Sequence, residues 1–265
     1  MSHLLISVTH QIGRITLNRP DVRNAFNDEV IAEVTEAFKA MGSRTDVRCI
    51  VLAAQGSAFC AGADLNWMRR MADYSYNENL EDAGKLAAML HTIANCPKPT
   101  VARVQGDVYA GGTGLVAACD MAVAVESAQF CISEVKIGLA PATISPYLIR
   151  AMGVRASQRY WLTAERFSAA EAHRLGLVSE VKTMDTLEAA VDKLCKALCL
   201  ASPDAIRATK RLIDSVVERP ITHELIAHTV KEIATIRSSP EGKEGLQSFL
   251  QKRLPNWVET QTSSA

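Results

Sequence analysis

The sequence predicts an α/β layered domain followed by a mainly helical C-terminal part. Two observations carry this prediction. In the first half, short apolar runs typical of buried strands alternate with stretches of helical periodicity. From Pro146 onward the signals are helical, and no strand is expected in the last third. A chain of 265 residues with 48% hydrophobic residues can form one large domain, or one domain plus a smaller appendage.

The predicted strands are short and apolar, and the first two form a hairpin around residues 11–13. They are residues 3–9, 14–18, 49–53, 100–104, 121–125 and 129–132. Residues 49–53 are continuously apolar, as expected for a strand that is buried on both faces.

The predicted helices begin at capping residues and end near glycine or proline. They include residues 28–41, 76–94, 115–119 and 240–253. Asn27 is expected to cap the first helix, and Gly42 to stop it. Serine–proline pairs predict two further helix starts, at Ser202 and Ser239. Two predicted capping boxes pair Ser168 with Glu171 and Asp185 with Glu188.

Composition argues against several function classes. The chain has 29 basic and 29 acidic residues, so its charge gives no reason to expect nucleic acid or an anionic membrane as a partner. The first ten residues are too polar for a signal peptide, and no apolar run approaches the length of about 20 residues that spans a bilayer. The seven cysteines include no CxxC pair, so we expect reduced thiols, no metal site and a cytoplasmic protein.

Two glycine-bearing segments are the strongest candidates for chemistry. Residues 58–65 (AFCAGADL) and 106–114 (GDVYAGGTG) each follow a predicted strand. Neither matches a Walker A loop or GxGxxG, and either alone is most simply a structural turn. Together, with a helix expected to start at Gly112, they could direct two backbone N–H groups at one oxygen, as oxyanion stabilisation requires.

Glu134 lies in an apolar stretch, residues 130–138 (FCISEVKIG). A buried carboxylate is costly unless it is paired or functional. One explanation is an ion pair with Lys136 or Arg103, and the other is a catalytic base whose pKa is set by its surroundings.

A series of short motifs, in order, resembles the crotonase superfamily of enoyl-CoA hydratases and isomerases over nearly the whole chain. The motifs are residues 18–20 (NRP), 23–26 (RNAF), 59–65 (FCAGADL), 105–106 (QG), 110–112 (AGG) with 119–120 (CD), and 164–166 (AER). The resemblance implies an α/β crotonase (ClpP/crotonase-like) spiral of ββα repeats over residues 1–200. It also implies a C-terminal helical trimerisation region over residues 201–265, and a homotrimer or a hexamer built from two trimers.

The resemblance also implies roles for particular residues. The backbone N–H groups of Ala63 and Gly111 would hold the thioester oxygen of an acyl-CoA, and Glu134 would be the acid/base. Coenzyme A would be part of the substrate, with no other cofactor. The implied substrate-binding residues are Arg23, Ala61, Asp64, Leu65, Trp67, Met68, Tyr109, Gly112, Pro141, Ile144, Phe249 and Lys252. Arg69, Arg70 and Lys85 are candidate partners for a carboxylate at the far end of the acyl chain.

The chain departs from the hydratase pattern at Gly114, where typical hydratases carry the first of two glutamates. An ordered water or a substrate carboxylate is expected to fill the space left there. Since isomerases that shift a double bond also use one glutamate, Gly114 favours an isomerase.

A finer resemblance favours a hydratase. Residues 62–68 (GADLNWM), 76–80 (YNENL) and 133–146 (SEVKIGLAPATISP) are similar to bacterial methylglutaconyl-CoA hydratases, which tend to have the same glycine. The leading hypothesis is therefore hydration of a branched or glutaconyl-type enoyl-CoA, such as 3-methylglutaconyl-CoA in leucine or isoprenoid breakdown. The alternatives are a single-glutamate isomerase and a non-catalytic acyl-CoA binding protein.

Overall fold

The computed structural model describes residues 2–258. The chain divides into two compact units, of which the larger ends at Lys193 and the smaller begins at Leu194. The strands are β1 (Leu4–Thr9), β2 (Ile12–Leu17), β3 (Cys49–Ala54), β4 (Ala58–Cys60), β5 (Thr100–Val104), β6 (Asp107–Tyr109), β7 (Met121–Val125), β8 (Gln129–Cys131), β9 (Phe167–Ser168) and β10 (Glu180–Lys182). The helices are α1 (Asp28–Ser43), α2 (Leu65–Met71), α3 (Tyr76–Ala94), α4 (Gly111–Ala118), α5 (Ser145–Thr163), α6 (Ala169–Arg174), α7 (Met184–Leu200), α8 (Pro203–Val216), α9 (His223–Ser238) and α10 (Pro240–Leu250).

Two sheets form the framework of the larger unit. The first has the order β1-β2-β3-β5-β7-β10, and all its neighbours are parallel except β1 and β2. The second has the order β4-β6-β8-β9, with β4, β6 and β8 parallel. The two glycine segments therefore leave neighbouring parallel strands, β4 and β6, at the same edge of the second sheet.

The strands β3 and β7 were predicted well because their sequences are continuously apolar. Every residue of β3 is buried, and β5 and β7 have the predicted bounds. The prediction of no strand in the last third was wrong, because Glu180–Lys182 pairs in parallel with β7. This strand is three residues long and two of them are charged, so its sequence carries no strand signal.

Local packing corrects three further predictions. The first hairpin turns at His10 and Gln11, which both have positive φ angles, and not around residues 11–13. Gly42 does not stop α1 but lies inside it, where a Cβ would stand 3.2 Å from Cδ of Pro97. Asp185 and Glu188 form no capping box, because the Glu188 carboxylate pairs with two arginines and α7 begins before Asp185.

The smaller unit is helical, as predicted. Ser202 caps α8 and Ser239 caps α10, each by accepting a backbone N–H with its hydroxyl. α10 ends at Leu250, three residues before the predicted end, and residues 259–265 lie outside the described part of the chain. Within residues 2–258, no helix combines the length and apolar character that crossing a membrane requires.

Candidate active site

A cavity of about 410 Å³ opens where the two glycine segments meet the chain that follows β8. Its lining belongs entirely to the larger unit and is mostly apolar. The lining residues are Phe26, Ala61, Ala63, Leu65, Trp67, Met68, Met71, Asn79, Asp82, Ala83, Leu86, Ala110, Gly111, Ser133, Glu134, Ile137, Leu139, Ala140, Pro141, Ala142, Thr143 and Ile144. A mostly apolar pocket with a few convergent polar groups is the usual form of a small-molecule site.

The first glycine segment leaves one backbone donor free, at a residue that lines this cavity. Phe26 forms a parallel bridge with Ala63: its N–H donates to Gly62 O, and its C=O accepts from Asp64 N, each at 2.9 Å. Both of these bonds use the neighbours of Ala63, so its own N–H remains available. Within residues 2–258 no acceptor is recorded for the Ala63 N–H.

The second glycine segment presents another free donor. Ala110 has a positive φ of 46°, and this turn starts α4 at Gly111, one residue before the predicted start. The Gly111 N–H is therefore in the first turn of a helix, where amides have no intrahelical acceptor and the helix dipole favours negative charge. Within residues 2–258 the Gly111 N–H makes no hydrogen bond.

Glu134 lines the same cavity, and its carboxyl group has a raised pKa. Burial raises its pKa, and hydrogen bonds from backbone N–H groups at Ser133 and Glu134 lower it by less. Its Oε2 atom is buried without a hydrogen-bond partner. The predicted ion pair with Arg103 is wrong, because Arg103 Nε donates to Glu188 Oε2 at 2.6 Å. An acid/base with a raised pKa and an unoccupied oxygen is what proton transfer to a bound ligand requires.

The raised pKa of Glu134 has a consequence for stability. The folded state holds this proton more tightly than the unfolded state, so the contribution of Glu134 is present at low pH and is lost as pH rises through the folded pKa. Glu134→Gln is therefore expected to raise the free energy of unfolding relative to the parent at neutral pH, with the difference vanishing below the ordinary Glu pKa of about 4.3. Urea denaturation at both pH values measures it, and a difference that grows on acidification would contradict it.

The space beside Gly114 is filled, which corrects a prediction. A Cβ built on Gly114 would lie 2.3 Å from Cγ2 and 2.9 Å from Cβ of Ile144. Ile144 is 1% exposed, so its side chain occupies this position. The space that the sequence predicted to be open beside Gly114 is therefore taken by a hydrocarbon side chain of this chain.

The other predicted residues divide into three groups. Those that line the cavity are Ala61, Leu65, Trp67, Met68, Pro141 and Ile144. Arg23 and Tyr109 line a second cavity of about 460 Å³, which shares Ala61 with the first. Asp64, Gly112, Phe249 and Lys252 line neither.

The residues outside the cavities have other contacts. Asp64 caps α2 and pairs with Arg19 at 2.9 Å, while Gly112 packs against Cys60 so closely that a Cβ would stand 2.8 Å from its carbonyl oxygen. Phe249 is exposed near the end of α10. Lys252 lies two residues beyond the end of this helix and has a positive φ angle.

Sequence reasoning missed a second carboxylate in the cavity lining. Asp82, on α3, accepts a hydrogen bond from Trp67 Nε1 at 3.1 Å, and burial raises its pKa. The three cations proposed for a distal carboxylate do not line the cavity. Arg70 pairs with Asp28, and Lys85 pairs with Glu81 at 2.8 Å. The negative charge of Asp28 raises the pKa of Asp82, while Lys85 and Arg70 each lower it by less. The spacing of Trp67 and Asp82, on two separate helices, gave no signal in the sequence.

Comparison with known proteins agrees with this fold. Residues 7–260 match the enoyl-CoA hydratase/isomerase family. A crystal structure described as an enoyl-CoA hydratase from Shewanella pealeana is 41% identical, with a TM-score of 0.94 and coverage of 97% of this chain and 96% of that one. A Legionella pneumophila structure, described as an enoyl-CoA hydratase/isomerase of the crotonase type, is 43% identical, with a TM-score of 0.92 and coverage of 97% and 99%. The 2,3-dehydroadipyl-CoA hydratase of Escherichia coli is 32% identical over 97% of this chain and 99% of its own length.

The chain belongs to the enoyl-CoA hydratase/isomerase family of the crotonase superfamily. The predicted crotonase fold is confirmed, and so is the prediction of an enzyme of the enoyl-CoA hydratase class within this superfamily.

Proposed function

We propose that the enzyme adds water across the C2=C3 bond of a branched enoyl-CoA. One observation carries this proposal: Ala63 and Gly111, whose backbone N–H groups are free, line the same cavity as Glu134, whose Oε2 atom has no hydrogen-bond partner. Donors of this kind bind a thioester oxygen more tightly once it gains charge, so they lower the barrier to enolate formation. Loss of one such donor typically costs about 10²–10³ in rate.

Glu134 alone can account for the protons in this reaction. As the water oxygen bonds to C3, Glu134 takes one proton from that water, and the C2=C3 electrons move to the thioester oxygen. Glu134 then returns the proton to C2 as the enolate collapses, so the product is a 3-hydroxyacyl-CoA and the enzyme is unchanged. In this scheme the water is positioned between Glu134 and C3 by the cavity, and no second carboxylate is needed to hold it.

Coenzyme A enters only as part of the substrate. Ala61, which lines both cavities, and Leu65 would contact the adenine of coenzyme A, and Arg23 in the second cavity would face its phosphates. Phe249 and Lys252 are proposed to contact coenzyme A of a neighbouring subunit.

The particular substrate proposed is 3-methylglutaconyl-CoA. The similarity of residues 133–146 to methylglutaconyl-CoA hydratases supports it. Incubation is expected to give 3-hydroxy-3-methylglutaryl-CoA that incorporates oxygen from labelled water. Failure to hydrate this thioester or any other in a panel of enoyl-CoA substrates would overturn the proposal, and tight binding without turnover would support a non-catalytic acyl-CoA binding protein.

An isomerase remains the second candidate because of the packing at Gly114. Ile144 takes the place of a second carboxylate, and a 1,3-proton shift needs one base that removes a proton and returns it elsewhere. This reaction would move the double bond of a 3-enoyl-CoA without incorporating solvent oxygen, so mass spectrometry in labelled water separates the two.

A substitution at Asp82 tests whether the acyl chain of the substrate carries a carboxylate at its far end. Two like unit charges about 4 Å apart in bulk water repel each other by about 1 kcal/mol, or about fivefold in affinity. Asp82→Asn is therefore expected to lower the KM for 3-methylglutaconyl-CoA about fivefold and to leave that for neutral 3-methylcrotonyl-CoA nearly unchanged. Asp73→Asn, on the exposed surface outside the cavity lining, is the matched control. Equal effects on both substrates would show that Asp82 does not meet the acyl tail.

The smaller unit is proposed to mediate a homotrimer, or a hexamer of two trimers. Its helices leave large apolar side chains exposed, among them Ile226, Val230 and Leu246, as self-association surfaces do. Light scattering coupled to size-exclusion chromatography measures the number of subunits in the assembly. The cytoplasmic location of the protein stays a prediction.

A further inference from the structure

We infer that Phe26 is the positioning residue that sets the two oxyanion donors relative to each other. The inference rests on the proposed function in one respect, the use of the Ala63 and Gly111 amides as an oxyanion hole. Phe26 is 2% exposed and lines the cavity, but the assigned chemistry needs nothing from its side chain.

The main chain of Phe26 holds the first donor. Its N–H and C=O bond to Gly62 and Asp64, the two neighbours of Ala63. This bridge fixes the Ala63 peptide while leaving its N–H directed away from Phe26.

The ring of Phe26 holds the second donor. A Cβ built on Gly111 would lie 2.5 Å from Cζ and 3.2 Å from Cε1 of Phe26, so the edge of the ring rests directly on the Gly111 backbone. The ring is supported on another side by Trp67, with centroids 6.1 Å apart and planes tilted by 53°.

Arg19 secures the bridge from outside the cavity. Its guanidinium donates to the carbonyl of Ala25, which precedes Phe26, and to the carboxylate of Asp64, which follows Ala63. Arg19 therefore holds both sides of the Phe26–Ala63 bridge, and the Phe26 ring in turn contacts the Gly111 backbone.

Neither donor residue can set its own position, since alanine and glycine have no side chain long enough to anchor the backbone. The two N–H groups come from separate segments, and Phe26 contacts both. Misplacing a catalytic group by about 1 Å can cost about 10²-fold in rate. Phe26 should therefore affect the chemical step far more than substrate binding.

The experiment compares Phe26→Leu and Phe26→Tyr with Phe38→Leu. Leucine withdraws the ring edge from Gly111, and tyrosine adds an oxygen at Cζ, the ring atom that lies nearest to Gly111. Phe38, in α1, is 1% exposed and does not line the cavity, so it matches the loss of core packing without touching either donor.

Two readouts separate positioning from a general loss of packing. The first is the division of any effect between kcat and KM. The second is the near-ultraviolet absorbance of acetoacetyl-CoA bound as its enolate, which reports the oxyanion hole whether the natural reaction is hydration or isomerisation.

Both Phe26 variants are expected to lower kcat about 10- to 100-fold, with KM changed less than about threefold, and to reduce the bound enolate. Phe38→Leu is expected to lower the melting temperature with kcat and enolate binding unchanged. Phe26 variants that behave like Phe38→Leu would overturn the inference and leave the proposed function standing. Failure of the unmodified enzyme to bind acetoacetyl-CoA as an enolate would overturn the oxyanion hole itself, and the proposed function with it.

Discussion

Glu134→Gln is expected to lower kcat by about 10²–10⁴-fold, the range that general acid–base catalysis contributes. Glutamine keeps the size and the polar atoms of the side chain but can neither take a proton from water nor return one to C2. Coenzyme A binding is expected to persist, because the donors and the cavity walls do not depend on the charge of Glu134. Initial rates with 3-methylglutaconyl-CoA, together with calorimetric binding of the product, measure the two effects separately.

The pH profile gives the same residue a second signature. Glu134 must be ionised to accept a proton from water, and burial raises its pKa. The acid limb of kcat/KM is therefore expected above the ordinary Glu value of about 4.3, and in Glu134→Gln this limb should disappear from the residual activity. Glu126→Gln, which changes an exposed carboxylate, is the matched control. Full activity in Glu134→Gln would remove this residue from the mechanism.

The parts of the fold that could be predicted from sequence are those where one physical signal dominates. Buried strands such as β3 and β7 have no polar residue on either face, and their bounds were predicted nearly to the residue. Asn27 at the start of α1 accepts the Val30 N–H at 3.0 Å, as its side chain chemistry predicts. Short elements such as β10 depend on pairing with a distant strand, which no local pattern encodes.

The candidate site shows the same division. The roles of Ala63, Gly111 and Glu134 were implied by the resemblance of their motifs to the crotonase superfamily, and the structure brings all three to one cavity. Asp82 and Phe26 were missed because each matters through a contact with another segment: Asp82 with Trp67 Nε1, and Phe26 with the Gly111 backbone. Gly114 was interpreted as leaving a space, because a glycine in a sequence does not show which distant side chain packs on it.

Gly114→Ala is expected to destabilise the protein by about 1–3 kcal/mol, the usual cost of overpacking a core. Its new Cβ would stand 2.3 Å from Ile144 Cγ2, and Gly114 is buried inside α4, where the helix backbone cannot retreat. Gly84→Ala is the matched control: it is also a helical glycine, but nothing lies within 4 Å of its Cβ position. There the same substitution should stabilise by about 0.5–1 kcal/mol through helix propensity. Urea denaturation measures both, and equal effects at the two sites would contradict the packing of Ile144 on Gly114.

Ile144→Gly should relieve the clash, so the double variant with Gly114→Ala should be less destabilised than the sum of the single variants by about 0.5–3 kcal/mol.

The same reasoning predicts a change of chemistry in Gly114→Glu with Ile144→Gly. Gly114→Glu alone places a carboxylate against Ile144 and should fold poorly, whereas the double variant has room for a second carboxylate in the cavity that Glu134 lines. Two carboxylates that hold one water favour hydration over proton shuttling, so labelled-oxygen incorporation from straight-chain enoyl-CoA substrates should rise relative to double-bond migration. A stable double variant with an unchanged ratio of the two products would show that Ile144 fills space without determining which reaction the oxyanion hole serves.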